Sequence, residues 1–276
     1  MSNARRARLL VLDVDGTLLT TDYQITMATC RAVQHVASQG VQVILASARS
    51  PGALRLIMGE LGITGLAISY TGALTCRLYP DSDIPTEVVA EQRMNLSSAH
   101  IVLRSALEQE ISVGWYIGDD WYVPRLDAAL RLEGELTGVM PTVVPDLAHF
   151  TESPHKLLCL AGDPALLPRL SLLANTLPQD CTGQFSYVNY LEITHQGVDK
   201  ASALLALGQQ LGIATAEMVA IGDAENDITM LRLVGFGIAM GNASPEVQAA
   251  ADWVTDTNNQ DGVATAIARL QATGWI

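Results

Sequence analysis

The four apolar residues Leu9-Leu10-Val11-Leu12 run without alternation into Asp13-Val14-Asp15-Gly16-Thr17. An unbroken apolar block of this length suits a strand buried on both faces of a parallel sheet, and such a strand needs helices to cover both faces. The first part of the chain meets that demand. A helical pattern over residues 26–38 stops at Gly40, residues 41–46 give a second buried strand, Pro51 and Gly62 bracket a further helix, and residues 65–69 give a third strand. Short apolar strands alternating with helices predict an α/β fold built on a doubly wound parallel sheet.

The rhythm changes after about residue 82. Residues 111–116 and 121–123 flank Gly118-Asp119-Asp120, which reads as an antiparallel hairpin with a polar turn. Helical patterns at 97–110, 124–136 and 164–177 are interleaved with strand candidates at 142–144, 156–161 and 185–188. From about residue 191 the α/β rhythm resumes, with a helix over 199–211, strands at 218–221 and 235–240, and a terminal helix over 262–272. The expected organisation is therefore a core of residues 1–82 and 193–276 with an α+β unit, residues 83–192, inserted into it. A chain of 276 residues with a hydrophobic share of 49% is long enough for both.

Charged residues are 16% of the chain yet sum to −13, which argues against nucleic-acid or membrane-surface partners, because both require clustered Lys and Arg. Cys30, Cys76, Cys159 and Cys181 have neither zinc-site spacing nor the density of a disulfide framework, so reduced thiols are expected. Arg5, Arg6 and Arg8 ahead of the apolar block imitate the start of a signal peptide, but Asp13 and Asp15 cut the run short. A soluble cytoplasmic protein is expected, monomeric or homodimeric. The first four residues carry no fold signal and read as a cloning remnant.

Four segments carry chemistry, each at the end of a core element. Asp13 and Asp15 lie two apart after the first strand, so both can face one pocket while Gly16 turns the backbone. Two carboxylates so close repel unless a cation neutralises them, and hard oxygen donors without Cys or His favour Mg²⁺. The segment reads equally well as a solvated acidic turn. It lacks the third ligand position and preceding helix of a calcium loop. Gly222-Asp223-Ala224-Glu225-Asn226-Asp227 follows another apolar strand. Asp223 would complete a metal site, with Asn226 and Asp227 orienting ligands or a lysine, although an Asp in that place is by itself more often a helix cap. Ser47 ends the second strand, where its hydroxyl can donate to a phosphoryl oxygen, and Arg49 can pair with substrate or with an acidic loop. A serine at a strand end is also an ordinary cap. Lys200, in the first turn of a helix capped by Asp199, combines an ammonium with a free helix terminus, a setting that favours an anion, although most lysines only solvate a surface.

Taken together, DVDGTLL at 13–19, ASAR at 46–49, GVDKASAL at 197–204 and IGDAENDITML at 221–231 resemble the haloacid dehalogenase (HAD) superfamily. The branch is the Cof type, subfamily IIB, with a C2-type cap between the second and third motifs. ISYTGA at 68–73, AMGNASPEV at 239–247 and ADWVTDTNNQDGVA at 251–264 extend the resemblance over essentially the whole chain. It implies a phosphatase in which Asp13 attacks phosphorus to form an aspartyl-phosphate and Asp15 serves as acid and then base. Mg²⁺ would be held by Asp13, the Asp15 main-chain carbonyl and Asp223. Ser47 and Lys200 would bind the transferring oxygens with Arg49 at the phosphate, Asn226 would touch the phosphate or the metal shell, and Asp227 would position Lys200 or a metal-bound water.

Three departures from the family pattern stand out. Ala48 replaces the usual glycine of the second motif, Thr71 stands where the family commonly has an asparagine, and Glu225 adds charge.

A phosphatase acting on a small phosphorylated metabolite, a sugar phosphate foremost, is the expected function, with the inserted unit closing over the site. The alternatives are a phosphotransferase such as a sugar phosphomutase, and a non-catalytic phosphometabolite-binding protein. The second has no need for a nucleophile and an acid/base in tandem. Trp115, Tyr116, Trp121 and Tyr122 suggest a substrate platform, but aromatics in a hairpin are more often core. His155 and His195 read as structural.

Overall fold

The computed structural model describes residues 6–80 and 84–276. Residues 1–5, which include the segment read above as a cloning remnant, and residues 81–83 at the rhythm change lie outside the described residues. The strands are β1 (Leu9–Leu12), β2 (Gln42–Ala46), β3 (Gly65–Ser69), β4 (Leu74–Leu78), β5 (Glu87–Glu91), β6 (Ser112–Ile117), β7 (Asp120–Val123), β8 (Thr142–Val143), β9 (Lys156–Leu160), β10 (Cys181–Tyr187), β11 (Tyr190–His195), β12 (Met218–Gly222), β13 (Phe236–Ala239) and β14 (Trp253–Val254). The helices are α1 (Met27–Ser38), α2 (Pro51–Leu61), α3 (Leu96–Glu108), α4 (Ala128–Thr137), α5 (Leu167–Asn175), α6 (Lys200–Leu211), α7 (Ile228–Leu233), α8 (Pro245–Ala250) and α9 (Gly262–Ala272).

One sheet has the order β14-β13-β12-β1-β2-β3-β4-β5, parallel from β14 to β3 and antiparallel beyond. The α/β reading of the core holds, and its physical basis is visible in β1. Leu10 and Leu12 pack into an apolar layer with α1, α2 and α9, while Leu9 and Val11 pack into the opposite layer with α6 and α7. A strand that buries alternate residues in two different cores has no polar face, hence the unbroken apolar run. Helix termini fall where their chemistry dictates. Thr26 and Ser50 cap α1 and α2 through their hydroxyls, and Gly62 ends α2 at φ 65°.

The second sheet, β10-β11-β9-β6-β7-β8, is antiparallel except between β7 and β8, with its own core around Trp115, Leu157, Ile193, Val102 and Leu170. Gly118 and Asp119 form the turn of the β6–β7 hairpin, as its sequence suggested. The chain crosses between the sheets at 92–95 and 196–199, about ten residues beyond the expected boundary at 82 and about four beyond the one at 192. The reason on the first side is that β5, Glu87-Val88-Val89-Ala90-Glu91, is an exposed edge strand with little apolar signal. On the second side, β11 already has the buried alternation of the second sheet.

The two units are docked by specific contacts. The Tyr70 hydroxyl donates to the Gly118 carbonyl (2.7 Å), the Lys156 ammonium donates to the Ala48 carbonyl (2.7 Å), and Arg55 pairs with Asp119 (3.3 Å). Among the described residues no helix is long and apolar enough to cross a membrane.

Candidate active site

Strand β1 lies between β2 and β12 in parallel, with Leu12 opposite both Leu45 and Ile221. The chain therefore leaves the sheet at Asp13, at Ser47 and at Asp223 along one edge. The neighbour β2 is reached directly from β1, whereas β12 is reached only after the whole second unit. Ligands in open α/β sheets bind beyond the carboxyl ends of the strands at such a reversal. A cavity of ≈ 690 Å³ opens there, with Asp13, Asp15, Ser47, Arg49, Asp223 and Asn226 in its wall.

Behind Asp13, Lys200, the first residue of α6, extends an ammonium buried to 1% exposure. It donates to Asp13 Oδ1 at 2.6 Å and to Asp227 Oδ1 at 2.7 Å. The other Asp227 oxygen accepts the N–H groups of Asp223 and Ala224, both at 3.0 Å, so both oxygens of that carboxylate are engaged. The N-terminus of α6 is fixed by Asp199, whose side chain accepts from the Ser202 N–H. Gly72 makes this approach feasible. Its φ is +113°, and a Cβ there would stand 2.3 Å from the Asp199 carbonyl oxygen.

Burial, reinforced by Asp227, pushes Asp13 well above the ordinary carboxylate range, with Lys200 opposing. Burial alone would lower Lys200, but Asp13 and Asp227 outweigh it and hold the ammonium above the ordinary lysine value.

Asp223 is held by the Thr17 hydroxyl (2.7 Å) and the Asn242 amide (3.3 Å), and the same amide ties down the Gly16 carbonyl at 2.8 Å. Burial raises Asp223 to about 6, against the Thr17 bond. Gly16 sits at φ +79°, where a Cβ would lie 2.2 Å from Asp223 Oδ2. Asp13, Asp223 and Asp227 each bring a carboxylate oxygen within 4.8 Å of the others. Asp227 accepts three hydrogen bonds, Asp223 two and Asp13 one, so Asp13 and Asp223 are the carboxylates of this group with the most capacity left for a cation.

The remaining expected residues are also at this edge. Arg49 forks onto Asp15, Nε to Oδ2 at 2.8 Å and Nη2 to Oδ1 at 2.7 Å, so of its two foreseen partners the acidic loop is the one engaged. Ser47 Oγ accepts the Arg49 N–H (3.2 Å), which leaves the hydroxyl proton to donate into the cavity. Asn226 Oδ1 is buried with no hydrogen-bond partner among the described residues.

Thr17, Asn242 and the wall supplied by the second unit were not singled out from the residues. Asn242 follows β13, so its place at one more core-strand end was the available signal. The wall includes Lys156, Glu133, Glu192, Tyr187 and Tyr190, with Tyr23 from the core. Trp115, Tyr116 and Trp121 are instead buried in packing, as the plainer reading of the hairpin aromatics held, and none of them reaches the cavity. His155 is buried between the Gly118 N–H (3.1 Å) and Glu91 (2.9 Å), a structural setting.

The sequence profile of the haloacid dehalogenase-like hydrolases matches residues 10–267. YxeH of Bacillus subtilis (strain 168), a phosphatase by name, is 30% identical over 95% of this chain and 98% of its own. The HMP-PP phosphatase of Yersinia pseudotuberculosis serotype O:1b (strain IP 31758) is 30% identical over 87% of this chain and 86% of its own. The crystal structure of a haloacid dehalogenase-like hydrolase from Bacteroides thetaiotaomicron superposes with a TM-score of 0.86 at 30% identity, covering 96% of this chain and 100% of that one. The chain belongs to the haloacid dehalogenase-like hydrolases, in their Cof-type branch. Within that family it is an enzyme of the phosphatase type, a phosphoric monoester hydrolase.

Proposed function

We propose that this protein is a Mg²⁺-dependent phosphatase of a small phosphorylated metabolite, a sugar phosphate foremost, working through a phosphorylated Asp13. The observation that carries the reading is the buried Lys200 ammonium, bonded at once to Asp13 and Asp227 beside Asp223. Three carboxylates around one ammonium leave a negative excess, which a divalent cation between Asp13 and Asp223 would offset. The donors are hard oxygens, and Asn226, in the wall of the same cavity, has an unpartnered Oδ1 that supplies another acceptor. Such an acceptor suits the shell of a cation better than a phosphoryl oxygen, so we assign Asn226 to the metal side. With Asp13, the Asp15 carbonyl and Asp223 as its holders, the ion would supply charge neutralisation for the incoming phosphoryl group.

The residues then divide the chemistry. An Asp13 oxygen attacks phosphorus in line with the ester oxygen, the P–O bond to the leaving group breaks, and Asp15 gives that oxygen a proton. Asp15 next takes a proton from a water that attacks the phosphorylated Asp13, releasing phosphate and restoring the carboxylate. Lys200 and the Ser47 hydroxyl hold the phosphoryl oxygens, and Asp227 keeps Lys200 aimed. Arg49 holds Asp15 until the leaving oxygen arrives, so the fork must open or slip in each turnover. The second unit serves as the cap. The Lys156 bond to the Ala48 carbonyl and the Tyr70 bond to Gly118 keep it over the cavity, excluding water.

Release of inorganic phosphate from a panel of phosphate monoesters, with Mg²⁺ and after chelation, tests the proposal. Metal-dependent release that is lost in Asp13→Asn is expected. Interconversion of isomers with little free phosphate would point to a mutase and overturn it.

A further inference from the structure

The cavity carries a charge pattern that chemistry at Asp13 does not require. Its wall holds the carboxylates of Asp13, Asp15, Glu133, Glu192, Asp223 and Glu225 against two cations, Arg49 and Lys156. A divalent ion and the phosphoryl group concern the core end. Glu133 on α4 and Glu192 on β11 come from the second unit, which faces the side on which the leaving group must lie.

Both cations already have hydrogen-bond partners in the protein. Arg49 is forked onto Asp15. Lys156, 3% exposed, donates to the Ala48 carbonyl at 2.7 Å and to Glu192 at 3.2 Å. The ammonium also lies 4.9 Å from the Tyr116 ring centre and 5.5 Å from that of Tyr70. An ammonium has three N–H donors; two are bonded, and the rings lie within cation–π range of its charge. Lys156 therefore acts as a fixed counter-ion and docking post. Its hydrogen bond goes to Glu192 and not to Glu133, and the wall as a whole still holds more carboxylates than cations. Burial raises the Glu133 pKa and so favours its uncharged form; Lys156 and Arg49 oppose this, and the neighbouring Glu192 and Asp15 add to it. A hydrogen-bond donor placed between the two glutamates would relieve that repulsion, and a further anion would add to it.

We propose that Glu133 and Glu192 form a leaving-group pocket for a hydrogen-bond-donating alcohol, neutral or cationic, that discriminates against phosphate esters whose leaving group bears a second negative charge. This rests on the phosphatase reading only for which bond is cut, since the charge preference is a property of binding.

Glucose 1-phosphate, glucosamine 1-phosphate and glucuronic acid 1-phosphate share one ring and one ester position and differ in the charge of the leaving group. Their binding to Asp13→Asn in Mg²⁺, measured by calorimetry, and their turnover by the wild type test the pocket. The neutral and cationic esters are expected to bind tighter than the glucuronic ester by about tenfold or more, as like-charge contacts at a site cost. Glu133→Gln and Glu192→Gln should each narrow that gap, through KM rather than kcat where turnover is read. Equal or tighter binding of the glucuronic ester, or a gap that neither variant changes, overturns the assignment. The expected binding order without phosphate release by the wild type would uphold the pocket and remove the hydrolase reading.

Discussion

Asp13 and Lys200 are 187 positions apart in the chain and 2.6 Å apart in space, with both side chains buried. The contact closes the core across the inserted unit, because β1 and α6 come from the segments on either side of it. It also fixes what the site can do. Lys200 is shared between Asp13 and Asp227, so the carboxylate it steadies is one it does not fully neutralise. An aspartate that is buried, bonded on one oxygen and short of positive charge is poised to gain from a cation and an electrophile together.

Asp13→Asn is expected to lower kcat for any ester the wild type turns over by about 10³-fold or more, as loss of a nucleophile does. The amide can still accept from Lys200, so circular dichroism and thermal unfolding should show a folded protein. A phosphate-release assay checks the rate, and a variant retaining near wild-type turnover would displace Asp13 from its proposed role.

Lys200→Met is expected to destabilise the fold. It strands Asp13 and Asp227 as buried carboxylates without their counter-charge, a change that costs roughly 3–5 kcal/mol when one partner of a buried ion pair is removed. Adding Asp227→Asn removes one of the stranded charges and should recover part of the loss. Urea unfolding of wild type, single and double variants measures this. A double variant no more stable than Lys200→Met would mean that Asp227 is not penalised by the loss of its ammonium.

The core was legible because its strands are read by burial on two faces. Leu9–Leu12 and Met218–Gly222 have no polar position to blur the pattern, and each is followed at once by carboxylates. The convergence of Asp13, Ser47 and Asp223 follows from strand ends in a parallel sheet, all at one edge, and Lys200 joins them from the N-terminus of α6. The antiparallel extension was not legible. Leu74–Leu78 follows β3 after a tight turn at Tyr70-Thr71-Gly72 in which each residue has positive φ, and Thr71 holds φ 57° where sequence gives no warning of it. The wall facing the leaving group was equally hidden. Lys156 looks like an ordinary strand-edge lysine, and only tertiary packing brings it to the Ala48 carbonyl and Glu192. Asn242 and Thr17 hold Asp223 through contacts that no local pattern encodes.

Gly16→Ala tests the proposed cation site without touching a ligand. The residue is left-handed at φ +79°, and its new methyl would fall 2.2 Å from Asp223 Oδ2, so Asp223 must move. Displacing a metal-holding side chain through its supporting shell weakens metal affinity by about 10–100-fold. The Mg²⁺ concentration giving half-maximal activity should rise by that order while saturating Mg²⁺ restores much of the rate. An unchanged Mg²⁺ response would separate Asp223 from metal binding.

His155 gives the fold a pH dependence of its own. Its Nδ1 accepts the Gly118 N–H, so Nε2 carries the hydrogen and donates to Glu91, and the ring is stacked on Tyr70 at 5.7 Å. A second ring proton would point at the Gly118 N–H. Burial accordingly lowers the His155 pKa from 6.5, with the Glu91 bond opposing, and Arg93 and Glu152 acting in opposite senses nearby. The folded state then binds fewer protons than the unfolded state between the lowered value and 6.5. The stabilising contribution is complete above 6.5 and is lost as pH falls through that interval, with a slope of at most about 1.4 kcal/mol per pH unit. Thermal unfolding followed from about pH 8 down to about pH 5 should show Tm declining below 6.5 in the wild type. In His155→Gln the decline over the same interval should be shallower. Parallel slopes in the two proteins would assign the pH response to groups other than His155.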